Sequence, residues 1–362
     1  MTWFRCRIVV ALASAVLIGG CEPTGVIEDL GTLGGQSSIG LGINNAGNVT
    51  GSSYVSAGDP HSAGLHAFRY VDGLGMIDVG ALPEGDISEG NGINSGGLIV
   101  GGSFVEGFVP HAFLATATLA LIDLGTLGGE YSYAWDINDQ GVVTGEAETN
   151  VVGRWHAFRR TSDGLTDLGT LGGTRSVGRA INESGQIAGE SRTPNDAALR
   201  AFRHTDGAGM VDLGTLGGTN SSAYGINDGG QVVGESDTGF VADPGRAVFR
   251  LLNLFGTHAF LWTEGAGMLD LGHLGGGDSL ALAINNHGVV VGTGNLTSGE
   301  FRAFRWSRED GMIDLNTLLP SGSGWVLRAA WDINDKGQVT GDGLHDGQAR
   351  AFRLNPPATG TD

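Results

Sequence analysis

Four short segments set the reading: Gly209-Met210-Val211-Asp212-Leu213, Ser221-Ser222-Ala223-Tyr224-Gly225-Ile226-Asn227, Gln231-Val232-Val233-Gly234 and His258-Ala259-Phe260-Leu261-Trp262. Each is a brief run in which β-branched, aromatic and small residues predominate. Each is bounded by Gly, Asn or Asp, the punctuation of strands and turns. Outside the first 20 residues no long 3.6-residue periodicity appears, so the chain reads as all-β.

The same four segments recur along the chain. Ile-Asn stands at Ile43, Ile93, Ile137, Ile181, Ile226, Ile284 and Ile333, at spacings of 50, 44, 44, 45, 58 and 49. An Asp before Leu or Val recurs at Asp29, Asp78, Asp123, Asp167, Asp212, Asp270 and Asp314. An Ala-Phe pair ends at Phe68, Phe113, Phe158, Phe202, Phe260, Phe304 and Phe352. Three markers each count seven. A four-stranded unit of about 45 residues is the size of a propeller blade. A lone blade cannot bury both faces, so neighbours must stack. The predicted fold is a seven-bladed β-propeller over residues 26–354. The chain enters on the fourth-strand motif, Ile27-Glu28-Asp29-Leu30, and leaves on the third-strand motif, Arg350-Ala351-Phe352. Residues 26–30 are therefore expected to pair beside 350–354 and close the ring, because an open stack leaves raw sheet edges. Residues 355–362 form a tail.

The first 20 residues read as an export signal. Arg5 and Arg7 precede an apolar stretch, 8–18, too short to span a bilayer. Leu17-Ile18-Gly19-Gly20-Cys21 resembles a bacterial lipobox, in which the cysteine is acylated and becomes the first residue. Residues 21–25 are then a short linker behind lipidated Cys21. The resemblance implies a lipid anchor in the cell envelope, with an outer-membrane or surface position consistent with Glu22. The only other cysteine, Cys6, leaves with the signal, so the mature chain has no thiol for a disulfide, metal site or nucleophile.

Glycine supplies 66 of 362 residues, with no collagen period. Formal net charge is -19, and Lys336 is the sole lysine. Such an acidic surface repels nucleic acid and anionic membranes. The expected partner is an unknown protein or carbohydrate, with no nucleic acid and no membrane contact except through the anchor.

Within the first strand, the position four before the Asn is always small: Gly40, Gly90, Ala134, Gly178, Ala223, Ala281, Ala330. The next position, Leu41, Asn91, Trp135, Arg179, Tyr224, Leu282 and Trp331, has no common chemistry and lies on the opposite face. Small residues suit the innermost strand. The Ile-Asn-x-x-Gly segments read as tight hairpins, because a calcium loop starting at Asp136 would need an acid where Ala147 stands. Leu168 to Gly173 lacks the dinucleotide spacing and a following helix, so it is a turn. No Gly-x-Ser-x-Gly, His-Glu-x-x-His or Walker motif occurs. No cofactor, metal or catalytic residue is expected.

Before the Ala-Phe pairs stand His66, His111, His156, Arg200, His258, Arg302 and Arg350. Arginine is no metal ligand, so the shared property is hydrogen-bond donation. Each donor is expected to hold one of the seven Asp residues as an interior polar staple, within its blade or across to a neighbour. The loops between second and third strands differ most among copies, and together with the glycine turns they form one rim. Its aromatics, Phe104, Phe108, Tyr131, Trp155, Phe240 and Trp325, are the candidate binding anchors. The longest copy carries Arg246-Ala247-Val248-Phe249-Arg250, an echo of the third strand, then an apolar run to Phe255, read as an extra hairpin or a contact patch.

Together, His-Ala-Phe, Asp-Leu-Gly-Thr-Leu-Gly-Gly and Gly-Ile-Asn resemble the bacterial HAF family of extracellular repeats. The resemblance covers about nine-tenths of the mature chain. Departures lie at Arg200, Arg302 and Arg350 and at Pro83 and Pro320, which interrupt the glycine turn. It implies an exported repeat protein and no particular reaction. The reading is therefore a binding module. The alternatives are an envelope polysaccharide hydrolase or lyase with acids in the central channel (Glu146, Glu190 and Glu235 occupy equivalent positions), or a structural surface component.

Overall fold

A computed structural model describes residues 25–56, 64–239 and 256–356. It contains seven four-stranded antiparallel sheets. Blade 1 has strands Ser38–Ile43, Val49–Tyr54, Leu65–Val71 and Gly75–Gly80. Blades 2 to 6 follow over 87–123, 128–167, 176–212, 221–270 and 279–314. Blade 7 supplies Trp325–Ile333, Val339–His345 and Gln348–Asn355, and its fourth place is taken by Val26–Asp29. The register runs from Val26 opposite Asn355 to Asp29 opposite Phe352. The chain is thus a closed seven-bladed propeller, shut by its N-terminal strand as expected.

Stacking supplies the core. The seven Ala-Phe phenylalanines are fully buried. One cluster joins Ala180, Ala188, Ala201 and Leu213 of blade 4 to Ile226, Val232 and Phe260 of blade 5, so each apolar face is completed by its neighbour.

Polar side chains then lock the blades together. The Asn of every Ile-Asn pair donates its side-chain amide to the backbone carbonyl of the equivalent Asn one blade on. The links run Asn44→Asn94, Asn94→Asn138, Asn138→Asn182, Asn182→Asn227, Asn227→Asn285, Asn285→Asn334 and Asn334→Asn44, at 2.9–3.2 Å. Seven buried bonds form one closed cycle. Each Asn Oδ1 meanwhile accepts backbone N–H groups of its own hairpin, as Asn44 does from Ala46 and Asn48. Only an amide, with donors and an acceptor, performs both tasks. A second lock uses the first-strand serine. Ser176 accepts from the Ala157 N–H at 2.8 Å and donates to the Gly169 carbonyl at 2.5 Å, tying blade 4 to blade 3. Blade 7 has Leu327 at this place, and Asn316 makes the equivalent link by bonding its N–H and carbonyl.

Candidate functional site

The first strands lie innermost, and each carries a β-bulge at the same point. Between blades 1 and 7 the register shifts fall at 40/42, 90/92, 134/136, 178/180, 223/225, 281/283 and 330/332. The extra residues are Leu41, Asn91, Trp135, Arg179, Tyr224, Leu282 and Trp331. A bulge leaves one residue unpaired and re-aims its side chain. The chemically mixed positions of the sequence are therefore one ring of side chains turned toward the axis. Opposite each bulge stands an obligatory glycine of the second strand. A Cβ on Gly189 would lie 1.9 Å from the Val177 carbonyl oxygen, and the other six copies give 1.7–2.1 Å. The bulge and the glycine require each other.

Blades 2 to 5 fill this ring with interacting groups. The first strand of blade 3, Gly128–Ile137, is longer than most. Tyr131 and Tyr133, both part-buried, alternate with buried Ser132 and Ala134 and so share one face, and the part-buried bulge residue Trp135 stands next to them. Tyr131 stacks on Trp155 at 5.2 Å, and Tyr133 packs against Trp135 at 4.8 Å. The Tyr133 hydroxyl donates to Glu89. Its ring leans over Gly102, where a Cβ would meet it at 2.0 Å. The Arg179 guanidinium lies over Trp135 at 4.3 Å, near Tyr224 at 5.8 Å, and bonds Glu190 at 2.9 Å. Tyr224 donates to Glu235 at 3.1 Å. Arg175 bonds Glu146 at 2.7 Å and lies 5.9 Å from Trp155. Across the ring, Trp331 Nε1 and Arg328 both donate to Asp342, at 2.9 and 2.6 Å.

Burial dominates the local electrostatics. It pushes the Glu235 carboxyl up, against the lowering hydrogen bond from Tyr224. It raises Tyr133 and Tyr224 as well, each reinforced by its carboxylate partner. Two buried donors here, Trp135 Nε1 and Arg179 Nε, find no acceptor among the described residues. The set thus offers aromatic faces, carboxylate acceptors and free N–H groups. Among the described residues no three His, Cys, Asp or Glu side chains are grouped to hold a metal.

At the other end of the first strands lies a ring of Asn45, Ser95, Asp139, Glu183, Asp228, Asn286 and Asp335. Backbone N–H groups donate to the side chain one blade on, as from Asp139 to Glu183 and from Glu183 to Asp228, both 2.9 Å. These acids are consumed in joining blades.

The predicted rim anchors divide. Tyr131 and Trp155 form the stacked pair above, and Phe108 is 75% exposed. Phe104 is part-buried at the end of its strand. Phe240 and Cys21 lie outside the described residues, as do 246–255. Trp325 is a correction: it is buried, stacked on His345 at 4.6 Å and edge-on to Phe352, and belongs to the core.

The staple also needs correction. His66–Asp78, His111–Asp123, His156–Asp167 and His258–Asp270 do meet, at 2.7–2.9 Å, always within one blade. Yet the Asp side chains are 44–46% exposed, so the pairs sit on the rim side and not in the interior. Arg200 Nε stands 3.5 Å from Asp212. Arg302 bonds Glu300 instead of Asp314. Arg350 bonds the Gln36 carbonyl and stays 4.0 Å from Asp29, whose partner is His345 at 2.7 Å. The constant role of the seven Asp residues is local. Each accepts the backbone N–H two residues on: Gly31, Gly80, Gly125, Gly169, Gly214, Gly272 and Asn316, at 2.7–2.8 Å. The Asp-x-Gly spacing was the available signal for this turn.

Among the described residues no helix is long and apolar enough to cross a membrane. No family model matches the chain, and no curated protein matches it in sequence. Solved structures do resemble it. A puromycin-hydrolysing peptidase of Mycobacterium tuberculosis aligns at 12% identity and TM-score 0.54, over 93% of this chain and 55% of that one. Virginiamycin B lyase of Staphylococcus aureus aligns at 14% identity and TM-score 0.53, over 91% and 99%. The extracellular domain of a one-component system from B. thetaiotaomicron aligns at 10% and 0.50, over 91% and 39%. The chain spans about half of the peptidase's length. At such identities the likeness establishes architecture alone: this chain is a β-propeller.

Proposed function

We propose that the protein is an exported, lipid-anchored β-propeller that binds a carbohydrate or protein partner along the rim-to-channel surface of blades 3 to 5. The observation that carries this reading is the aromatic stripe of Tyr131, Tyr133 and Trp135, extended by Trp155. Aromatic faces bring large contact area at low entropic cost, and they concentrate binding energy. A purely structural role would not call for seven dissimilar side chains at one bulge position. The test is capture of envelope proteins and arrayed glycans by residues 22–362. Wild type retains a partner that Trp155→Ala and Tyr131→Ala lose by about tenfold or more, with unchanged melting temperature. Equal capture by all three removes the stripe from consideration.

The address rests on the signal-like 1–20 and on Cys21, and the HAF resemblance supports export. Cys21→Ser is expected to abolish incorporation of labelled palmitate and to shift the protein from the membrane to the soluble fraction. A membrane-bound, unlabelled wild type would count against the anchor. A second reading, cleavage of a bound polysaccharide, draws on the neighbouring Glu190 and Glu235, one paired with arginine and the other pushed toward its protonated form. Release of reducing or unsaturated ends from a captured glycan would favour it.

A further inference from the structure

We infer that the rim of blades 2 and 3 docks a basic polypeptide segment carrying apolar side chains, with Phe108 and Val152 as its anchors. This goes beyond the binding reading above, and Tyr133, Trp135 and Arg179 take no part in it.

Charge is the first observation. From Tyr70 to Gly153 the chain has 84 residues, twelve of them acids and none a lysine or arginine. Elsewhere 27 acids face 20 bases, so this one stretch carries twelve of the nineteen net negative charges. It covers all of blade 2 and the inner half of blade 3. Four of its acids, Glu84, Asp86, Glu106 and Glu130, are exposed on one rim. Glu84 and Asp86 flank Gly85, which lies so close to the Phe104 carbonyl that a Cβ would come to 1.8 Å. Glu106 follows Phe104 by two residues. The Glu130 N–H donates to Glu148 at 3.0 Å, beside the loop of blade 3. Among the described residues none of these four carboxylates is ion-paired.

The second observation is the pair of loops between those acids. Val152 is 93% exposed and Phe108 75%, more than any other large apolar side chain among the described residues, and Val151 adjoins them at 51%. They stand at the tips of the second-to-third-strand loops of adjacent blades, and packed sheets lie about 10 Å apart. Both tips are held in place. Val105 pairs with Val109 beneath Phe108. Beneath Val152 the Thr149 N–H donates to the Arg154 carbonyl at 2.9 Å, and the Gly153 N–H to Glu148 at 3.3 Å. Phe108 has φ 61 and Glu84 φ 69, left-handed conformations that a side chain adopts at a cost, so the fold holds both out against local preference. Anchors on preformed loops lose little freedom on binding.

The two observations together select the partner. Apolar tips alone would suit a lipid surface, but the unpaired carboxylates around them repel anionic headgroups. Acids alone would suit a polyamine or a cationic glycan, neither of which brings apolar side chains to cover Phe108 and Val152. A second copy would present the same negative sector. A segment with Lys or Arg interleaved among Leu or Val meets both demands, and the field steers its approach.

The test measures fluorescence anisotropy of labelled peptides with the full-length protein. The probe is an alternating Lys-Leu dodecamer, and Lys-Ser and Glu-Leu dodecamers are the controls. The Lys-Leu peptide is expected to bind, less tightly as salt rises, with each control weaker by about tenfold or more. Phe108→Gly/Val152→Ser, in which glycine accepts the left-handed backbone, should weaken binding about tenfold at unchanged melting temperature. Glu84→Gln/Asp86→Asn/Glu106→Gln/Glu130→Gln should weaken it as much and flatten the salt dependence. Asp163→Asn/Glu264→Gln/Glu309→Gln/Asp346→Asn removes four exposed charges outside the sector and should change it by less than about twofold. Equal losses in the two quadruple variants would reduce the effect to net charge and overturn the inference. So would no binding of the Lys-Leu peptide, or equal binding of Lys-Leu and Lys-Ser. Capture of phosphatidylglycerol vesicles, or dimerisation, that Phe108→Gly/Val152→Ser abolishes would assign the tips to a membrane or to a second copy instead. Each of these outcomes is independent of the Trp155→Ala and Tyr131→Ala test of the stripe.

Discussion

Replacing Arg353 with alanine lowers the unfolding free energy by about 3 kcal/mol, the lower end of what breaking a buried ion pair costs. Its side chain is 5% exposed and joins three parts of the chain. One nitrogen bonds Glu28 of the closing strand at 2.7 Å and Asp72 of blade 1 at 2.6 Å. Another donates to the Gly47 carbonyl at 2.7 Å, and the guanidinium lies 5.6 Å from the Tyr70 ring. Arg353 thus fastens blade 7 both to the N-terminal strand and to the next blade, across the only seam where the ring is closed by distant sequence. The alanine variant loses these bonds and leaves a part-buried Glu28 and a carbonyl without their donor. Arg203 is the control, because it occupies the same place in blade 4. It also meets a backbone carbonyl, Gly230, but its acid, Glu264, is 77% exposed. Its removal should cost about 1 kcal/mol. Urea denaturation of both variants tests the claim. A loss for Arg353→Ala no greater than that for Arg203→Ala would show that the seam bears no special load.

The fold was legible because every copy states it again. Strand order, blade count and the closing strand follow from the phase of three markers, and the 26–29 against 352–355 register lies where that phase puts it. What escaped the sequence are contacts between blades. The amide of Asn182 reaches Asn227, 45 residues on, and Ser176 reaches back to Ala157 and Gly169. Invariance among copies signals that a residue matters to the repeat, but not which neighbouring copy it touches. The seven Asp residues were assigned to His and Arg partners on the same logic. Their constant task proved to be a turn two residues long. Trp325 was misplaced for a different reason. Blade 7 is entered through a 3-10 turn at Leu315–Leu318 in place of the glycine turn, and Pro320 follows. The altered entry puts the indole against Phe352, inside the core. The candidate site was half visible. The positions at 41, 91, 135, 179, 224, 282 and 331 stood out as chemically mixed within an otherwise repeated strand. The bulge that turns them inward is a backbone event, and only the opposed glycine hinted at it.

The propeller is expected to lose stability as pH rises from about 4 to about 7, the opposite of ordinary acid unfolding. Two first-strand residues cause this. Asp136 and Asp332 stand where the other copies have Gly42, Gly92, Ala180, Gly225 and Ala283. Each carboxyl accepts two backbone N–H groups, Asp136 from Ile137 and Ile181 and Asp332 from Ile333 and Ile43. Those bonds favour the charged form. Burial against the narrow axis outweighs them, and it pushes Asp136 up to about 7 and Asp332 up to about 6. In the unfolded chain both titrate near the ordinary 3.8. Between that value and the native one, the folded protein holds protons that the unfolded chain has released. Unfolding is then accompanied by proton loss, and stability falls with rising pH until the native groups also ionise. Below about 3.8 both states are protonated and the contribution is level; above about 7 it is level again, at its least favourable. At about 1.4 kcal/mol for each tenfold displacement, Asp136 accounts for on the order of 4 kcal/mol and Asp332 for on the order of 3. Water entering the channel reduces both figures. The test compares unfolding free energies from pH 4.5 to 8 for wild type and for Asp136→Asn/Asp332→Asn. An amide cannot ionise, so the double variant should show a distinctly shallower decline. It also turns an N–H toward one of the two backbone donors, which lowers stability equally at every pH. The slope is therefore the diagnostic quantity, and parallel curves for the two proteins would refute the assignment.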